Sequence, residues 1–352
     1  MFFLTIDWYF ILEKSILIIA IISLSMVVAM YATYGERKVA AWLQDRIGPN
    51  RAGPFGLLQP LADGGKLFFK EEIIPIVSNK VLFVLGPMLA MVTALITSAV
   101  IPWGTSLQIG ERTVNMQIAD PNIGILYVFA VLSVGVYGIM IGGWASNNKF
   151  SLLAGIRGAS QMVSYELPMG LSLLAVLLLV GDAKMSSIVG NQIGEGFFNW
   201  HIWYQPLGFI IFFICALAEC NRTPFDLPEA ENELNFGYHQ EYSSMKLGFY
   251  LFAEYINMFI SGVLMATLYF GGYDIPFVNE ANLGWHPNLI ALLGFFMLMA
   301  KAFFFVFVFM WIRWTIPRFR YDQLMKLGWT RLIPLALVNL LLTAAIALWL
   351  DK

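Results

Sequence analysis

Long apolar stretches alternate with shorter polar ones along almost the whole chain. Eight of them approach or reach the length of about 20 mostly apolar residues that a helix needs to cross a bilayer. They lie at roughly 9–33, 81–102, 121–143, 160–181, 204–220, 248–271, 288–311 and 332–350. The in-and-out alternation of a membrane β-barrel does not occur in the sequence. The pattern therefore predicts an all-α polytopic membrane protein with eight transmembrane helices, which form a single transmembrane domain over residues 1–352.

Basic residues are distributed unevenly among the polar connections. Of the 21 Lys and Arg residues, 16 fall in four connections, at 34–80, 144–159, 221–247 and 312–331. Because loops rich in Lys and Arg face the cytoplasm or matrix, these four are predicted to face inward and both termini outward. The first stretch lacks a basic start and a small-residue cleavage site, so we expect an anchor and not a signal peptide.

Composition agrees with a membrane protein and excludes several kinds of site. The chain is 59% hydrophobic and 12% charged, with a mean hydropathy of +0.71. Its two cysteines, Cys215 and Cys220, form no CxxC pair, and no HExxH, Rossmann or P-loop motif occurs. We therefore expect no metal, iron–sulfur cluster or nucleotide bound by this chain, and any redox chemistry has to come from partners.

The first inward loop, 34–80, is the longest polar segment of the chain. Its start, 36–46, has an amphipathic helical pattern, and Gly-Pro turn signals follow. A second amphipathic helix is predicted over 55–69, with an interruption between Asp63 and Lys66 at two glycines. Both helices could lie on the membrane surface. The charged pair within an apolar segment favours the wall of a polar cavity instead.

The third inward loop begins with an acid-rich stretch. Five carboxylates occur within about fifteen residues: Glu219, Asp226, Glu229, Glu231 and Glu233. The motif from Asp226 to Glu229 matches a capping box, which predicts a helix that starts at Asp226 and carries Glu229 and Glu233 on one face. Capping explains only two of the five acids. Like charges near hydrocarbon raise the pKa of at least one neighbour, so proton binding is favoured over a purely structural role.

Ionisable residues also occur inside the predicted spans. They are Glu166, Glu219, Glu254 and Lys301. Such a charge costs about 2.5–3.5 kcal/mol even on a lenient insertion scale, and it usually marks a function or an ion pair. A structural pair between Lys301 and a carboxylate is one interpretation, and a hydrated, protonatable path is the other. In the last inward loop, Arg318 and Arg320 fit either a basic membrane anchor or a polar opening.

Several segments in fixed order resemble one family. They are Gly35-Glu36-Arg37-Lys38, 45–50, 53–63, Lys66-Leu67-Phe68, 219–233 and 317–324. They look like the signature loops of the H subunit of NADH:quinone oxidoreductase, respiratory complex I, which is chain 1 in mitochondria. The resemblance extends over essentially the whole chain.

The resemblance implies a quinone-tunnel-forming, proton-coupling membrane subunit. Electrons would reach quinone, the substrate, from NADH through FMN and Fe-S clusters in partner subunits. No cofactor of its own and no catalysis by this chain alone are implied. The expected partners are the quinone-module subunits of the peripheral arm, adjacent small and antiporter-like membrane subunits and the lipid bilayer, without nucleic acid. The expected location is an energy-conserving membrane, with the bacterial inner membrane favoured and the mitochondrial inner membrane as the alternative.

The resemblance also implies roles for matching positions. Residues expected at the quinone tunnel or its mouth are Glu36, Arg37, Arg46, Asp63, Lys66, Phe225, Arg318 and Arg320. Residues expected on the proton path are Glu166, Glu219, Asp226, Glu229, Glu231, Glu233, Glu241, Glu254 and Lys301. The four inward loops would form the quinone cavity and the interface with the peripheral arm. Our hypothesis is that quinone reduction changes the charge in the cavity, and that the acids relay this change toward the antiporter-like neighbours.

Three other functions remain open at this point. A stand-alone ion-coupled transporter would normally have internal repeats or paired broken helices, and the sequence has neither. An anchor subunit of a membrane-bound hydrogenase would share the same general plan. A purely structural anchor leaves Glu254 and Lys301 without an explanation.

Overall fold

The computed structural model describes residues 8–110, 112–194, 196–277 and 285–350, and this part of the chain is mostly helical. Its α-helices are α1 (Trp8–Leu43), α2 (Gln59–Phe69), α3 (Lys80–Thr97), α4 (Gly124–Ala145), α5 (Lys149–Val180), α6 (Met185–Gln192), α7 (His201–Tyr204), α8 (Pro206–Glu219), α9 (Glu231–Leu234), α10 (Ser244–Tyr269), α11 (Pro287–Thr315), α12 (Tyr321–Lys326) and α13 (Ile333–Leu350). A short antiparallel hairpin, β1 (Ser106–Ile109) with β2 (Arg112–Asn115), follows α3.

Seven helical segments of the described residues are long and apolar enough to cross a membrane. Six are built on α1, α3, α4, α5, α10 and α11, and the seventh runs from α12 through a π-helical segment, Leu327–Leu332, into α13. An all-α polytopic membrane protein is thereby confirmed. The predicted span at 204–220 corresponds to α8, whose 14 residues extend about 21 Å against a hydrocarbon layer of about 30 Å. The count of eight spans and the sides of the termini therefore stay predictions.

The backbone on either side of α8 explains why this helix is short. Pro206 occupies its first turn, and Gln205 before it has non-helical dihedral angles, which separate α8 from α7. At the other end, Asn221 adopts a positive φ of 49°, a conformation that Asn tolerates better than most residues. The chain then turns into the loop at 220–230.

Several helices extend beyond the apolar stretches that predicted them. α1 continues ten residues past the predicted end to Leu43, and α5 begins eleven residues early, at Lys149. Hydropathy detects where a chain leaves hydrocarbon, whereas a helix continues as long as its backbone and its polar partners allow. As a consequence, the helical pattern predicted from Glu36 onward is part of α1, and Arg157 and Arg313 lie on helices instead of in loops.

Two local predictions for the inward loops are wrong. α2 runs through both glycines without the predicted interruption, because neither leaves the helical conformation. No helix starts at Asp226, since residues 226–230 are non-helical and α9 begins only at Glu231. The Asp226 carboxylate binds Arg318 instead of capping a helix. Glu229 and Glu233 therefore do not share a helical face.

α10 lies at the centre of the bundle, since 72% of the residues in its most apolar stretch are buried. Glycines on α4 allow α3 and α10 to approach closely. A Cβ atom on Gly138 would lie 2.9 Å from the backbone nitrogen of Ala90, and one on Gly142 only 1.9 Å from the Tyr250 hydroxyl. In the space that these glycines leave, the Tyr250 hydroxyl donates a hydrogen bond to the Gly138 carbonyl at 3.0 Å.

Candidate functional site

Two carboxylates and three arginines meet near the C-terminal end of α1. Glu36 is only 5% exposed; its Oε2 accepts a hydrogen bond from Arg222 Nη1 at 3.2 Å, and its Oε1 lies 2.6 Å from Arg313 Nη1. Asp226 Oδ2 lies 2.9 Å from Arg318 Nη2. We call these five residues the arginine–carboxylate cluster. Its three cations outnumber its two carboxylates, so the cluster favours additional negative charge nearby.

Arg222 is the most deeply buried cation of the arginine–carboxylate cluster, with 4% of its surface exposed. A buried guanidinium is stable only when it is paired, because desolvation costs several kcal/mol for each ion, of order 20 in the idealised limit. Glu36 provides the opposite charge, and the Tyr255 ring centroid lies 4.3 Å from the guanidinium carbon. The aromatic face contributes a cation–π interaction. Arg222 thus connects α1, the loop at 220–230 and α10.

The pKa of Asp226 is raised, although a neighbouring arginine normally lowers the pKa of a carboxyl group. Burial and the nearby Glu229 carboxylate raise its pKa from the ordinary value of 3.8 to about 8, against the opposing attraction of Arg318 and Arg222. Burial prevails because the Arg318 side chain is 37% exposed and solvent weakens its attraction, whereas the Asp226 side chain is only 2% exposed. Asp226 can therefore gain or lose a proton near neutral pH when the local charge changes.

The loop that carries Arg222 and Asp226 is fixed by a buried amide on α5. Gln161 is fully buried, and its Nε2 donates to the Ala218 carbonyl at 2.8 Å and to the Phe225 carbonyl at 2.7 Å. The Phe225 ring packs between Tyr165 and Phe319, with ring centroids 5.3 and 5.7 Å away. Phe225 thus acts as an apolar anchor of this loop.

A cavity of about 260 Å³ lies between α1, α2 and α10, and we call it the α1–α2–α10 cavity. Much of its wall is apolar, with Met30, Leu67 and Phe252 among the lining residues. Arg37 Nη1 and Asp63 Oδ2, 2.7 Å apart, form a partly exposed ion pair on the same wall. Tyr255, the residue that stacks on Arg222, also lines this cavity. The cavity therefore has room for an apolar molecule with a polar end.

A second, internal cavity of about 30 Å³ lies between α10 and the helices α3, α4 and α5. Its polar lining includes Glu219, Tyr238, Tyr250, Glu254 and Asn257, and the Tyr238 hydroxyl donates to Glu254 Oε1 at 3.0 Å. Since about 10–15 Å³ is enough for one water molecule, this internal cavity has room for about two.

Glu219 connects the internal cavity with polar groups on α4 and α5. It also lines an adjacent, mostly apolar cavity of about 20 Å³. Glu219 interacts electrostatically with Glu166 on α5, which accepts a short hydrogen bond from Ser133 on α4.

Two consecutive residues of α10 connect the α1–α2–α10 cavity with the internal cavity. Successive helix residues point about 100° apart, so Tyr255 faces the first cavity while Glu254 faces the second. The Glu229 carboxyl group interacts electrostatically with Glu254, Asp226 and Arg222. A continuous set of charged and polar groups therefore leads from the arginine–carboxylate cluster to the internal cavity.

Known proteins resemble this chain over nearly its full length. A family model described as NADH dehydrogenase matches residues 15–344. An H subunit of NADH-quinone oxidoreductase from Cytophaga hutchinsonii is 61% identical over 336 residues, which cover 96% of this chain and 97% of that protein. The H subunit from Flavobacterium johnsoniae is 58% identical over 96% of each chain. That from Thermomicrobium roseum is 45% identical over 97% of this chain and 98% of its own. The chain belongs to the H subunit family of NADH-quinone oxidoreductase. The resemblance seen in the motifs is thereby confirmed.

Other residues expected on the family's proton path lie apart from this continuous set. Glu233 pairs with Arg157 at 2.7 Å in a partly exposed position, and Glu241 accepts a hydrogen bond from Asn148 at 2.7 Å. The side chain of Glu231 lies outside the described residues. The roles of these three acids stay predictions.

Three residues expected at the mouth of the family's tunnel are exposed. They are Arg46, Lys66 and Arg320. Arg46 donates a hydrogen bond to Gln44 at 2.8 Å, and the backbone of Arg320 donates to Gln323 at 3.3 Å. None of the three lines the α1–α2–α10 cavity in the described part of the chain, so their roles also stay predictions.

Lys301 lies far from the acids that the sequence analysis places with it on the expected proton path. Its ammonium donates to the carbonyls of Phe270, Gly272 and Asp274 at 2.7, 2.9 and 2.7 Å, just past the C-terminus of α10. It also lies 4.3 Å from the Trp200 ring centroid. Phe270 is sixteen residues beyond Glu254, about 24 Å along the helix axis. The geometry explains Lys301 as the donor that holds the carbonyls of the turn after α10, and its place on a proton path stays a prediction.

Several residues of the site were not found from the sequence. Gln161, Tyr238 and Tyr255 give no motif signal, since an amide or a phenol in an apolar stretch is compatible with many environments. Arg222 and Arg313 were counted only as basic residues of loops, although Arg222 pairs with Glu36 and Arg313 reaches it from the last turn of α11. Among the described residues, no group of three or more His, Cys, Asp and Glu could hold a metal ion.

Proposed function

We propose that this chain forms the quinone cavity of an NADH-quinone oxidoreductase and transmits the charge change of quinone reduction to a path of acids. The names of its relatives support a membrane subunit that depends on other subunits for activity. In this proposal, those partners carry the FMN and the Fe-S clusters. The observation that carries the proposal is the adjacency of Tyr255 and Glu254, which face the two cavities from consecutive positions of α10.

The α1–α2–α10 cavity suits a quinone that comes from the bilayer. Its apolar wall accommodates the ring and tail, and the Arg37–Asp63 ion pair provides polar contacts for the carbonyl oxygens. Beyond Tyr255, the arginine–carboxylate cluster attracts the negative charge that reduction adds. We expect the final ligands of the head group on a peripheral-arm subunit.

The coupling step is electrostatic. A charge change beside Arg222 is weakly screened there, because the surroundings are buried. Asp226, with its pKa near 8, responds by binding or releasing a proton. Glu229 and Glu254 pass the change to the internal cavity, where water can connect Glu254 with Glu219 and then Glu166. Moving a proton against 100 mV costs about 2.3 kcal/mol, which corresponds to a pKa shift of about two units.

The relatives also bear on the alternatives and on location. Their names favour the oxidoreductase over a hydrogenase anchor, a transporter or a purely structural anchor. Because these relatives come from bacteria, we propose a bacterial inner membrane, with both termini on its outer side as the basic loops indicate. The peripheral-arm quinone module and the antiporter-like subunits are the proposed partners.

The test is to replace Glu229 and Glu254 separately by Gln in the assembled complex. We expect each variant to assemble and to lose quinone reduction coupled to proton pumping, measured with NADH in sealed vesicles. Glu13→Gln is the matched control, because Glu13 lies near the far end of α1 beside Lys14. Unchanged reduction and pumping in both path variants would refute the proposal.

A further inference from the structure

We propose that Gly64 sets the width of the α1–α2–α10 cavity and so determines how well a quinone with a long tail is accepted. This inference rests on the proposed function of the cavity. It starts from two adjacent glycines, Gly64 and Gly65, in the middle of the eleven-residue helix α2. Each destabilises a helix interior by about 1 kcal/mol relative to Ala.

Local structure does not require glycine at either position. Neither residue has a positive φ, so no left-handed conformation has to be accommodated. A Cβ atom built on either glycine meets no atom within 4 Å, so no close approach of another segment excludes a side chain. Backbone strain and packing therefore leave both glycines unexplained.

The two glycines differ in what lies beside them. Gly64 lines the α1–α2–α10 cavity together with Pro60, Asp63 and Leu67, which are spaced as one face of a helix. Gly65 is about 100° further round the helix and is not part of this lining. A side chain at Gly64 would therefore occupy cavity space, whereas one at Gly65 would not.

The wall of the cavity opposite Gly64, which α10 forms, also carries a glycine. Gly248 on α10 also lines the cavity, and a Cβ atom there would lie 3.4 Å from Leu67 Cδ1. Glycines on two facing helices thus keep open the part of the cavity next to Leu67. In the proposed function, the head group is finally held by a peripheral-arm subunit, so the apolar tail occupies this part of the cavity during reduction. The width here consequently matters for the tail and much less for the ring.

The experiment measures KM and kcat of the assembled complex with a long isoprenoid quinone and with a short-chain analogue. We expect Gly64→Leu to raise KM for the long-tailed quinone by about ten- to a hundredfold, with kcat and the short-chain kinetics changed less than about twofold. Gly64→Ala, which favours the helix, should show the same selectivity to a smaller extent. Gly65→Leu is the matched control, and we expect wild-type kinetics with both quinones.

Two results would overturn the inference. The first is that Gly64→Leu and Gly64→Ala change KM for the long-tailed quinone no more than KM for the short-chain analogue. The second is that Gly65→Leu raises KM for the long-tailed quinone as much as Gly64→Leu does. Leu67→Trp separates this failure from failure of the proposed function. If Leu67→Trp blocks quinone reduction while the Gly64 variants do not discriminate, only the inference fails. If Leu67→Trp leaves the reduction of both quinones intact, the cavity itself is not the quinone site.

Discussion

Replacing Glu36 by Gln should destabilise the subunit far more than removing an exposed ion pair. Glu36 and Arg222 have side chains that are 6% and 4% exposed, and the substitution leaves the Arg222 guanidinium buried without its carboxylate. Breaking a buried pair in this way costs about 3–5 kcal/mol. Glu233→Gln removes the Arg157 pair, whose side chains are 55% and 33% exposed, at a cost of about 0–1 kcal/mol.

The assay is the temperature at which the purified complex loses half of its NADH-quinone reductase activity. At about 2 °C for each kcal/mol, we expect Glu36→Gln to lower it by about 6 °C or more and Glu233→Gln by at most about 2 °C. Combining Glu36→Gln with Arg222→Met should recover part of the loss, since the double variant removes the buried guanidinium and leaves only the partly exposed Arg313 without its carboxylate. Equal shifts for the two single variants, or a double variant that is worse than the sum, would refute the account of the buried pair.

Two further predictions concern Asp226 and Lys301. Because the pKa of Asp226 in the folded protein is about 8 and its ordinary value is 3.8, its ionisation opposes the folded state as pH rises from about 4 to about 8. Wild type should therefore lose thermal stability between about pH 6 and about pH 9 to a greater extent than Asp226→Asn, and parallel pH profiles would contradict this sign. Lys301→Met should lower thermal stability, because three carbonyls lose their donor, while the ratio of protons pumped to electrons transferred stays unchanged. A lower ratio in the assembled variant would show that Lys301 belongs to the proton path.

The sequence predicts the membrane-spanning elements better than their ends. Apolar runs locate seven long helices because burial in hydrocarbon requires the same residue types everywhere along a span. They do not reveal that the helical pattern at 36–46 continues the first span without a break, nor that Glu36 pairs with Arg222 and Arg313, which are almost two hundred residues or more away in the chain. The shortness of α8 depends on the dihedral angles of Gln205, which hydropathy does not report.

The site could be predicted as a set of residue types but not as a set of contacts. The acids were recognisable because carboxylates are rare and costly in such surroundings. The capping box failed because a local motif competes with distant partners, and Arg318 binds the Asp226 carboxylate. The partners of Lys301 were unpredictable for a related reason: backbone carbonyls are present at every residue and leave no trace in a sequence.

The loop at 220–230 has a consequence for the response of the protein to ionic strength. Residues 221–228 are all buried, although they include Arg222 and Asp226. Dissolved salt ions screen exposed charges within about 10 Å at 0.1 M, and they screen buried ones much less. The interactions between the loop and the acids behind it are thus insulated from the salt content of the medium. Under the proposed function, coupling through this loop therefore depends little on salt, whereas exposed pairs such as Arg157–Glu233 vary with it.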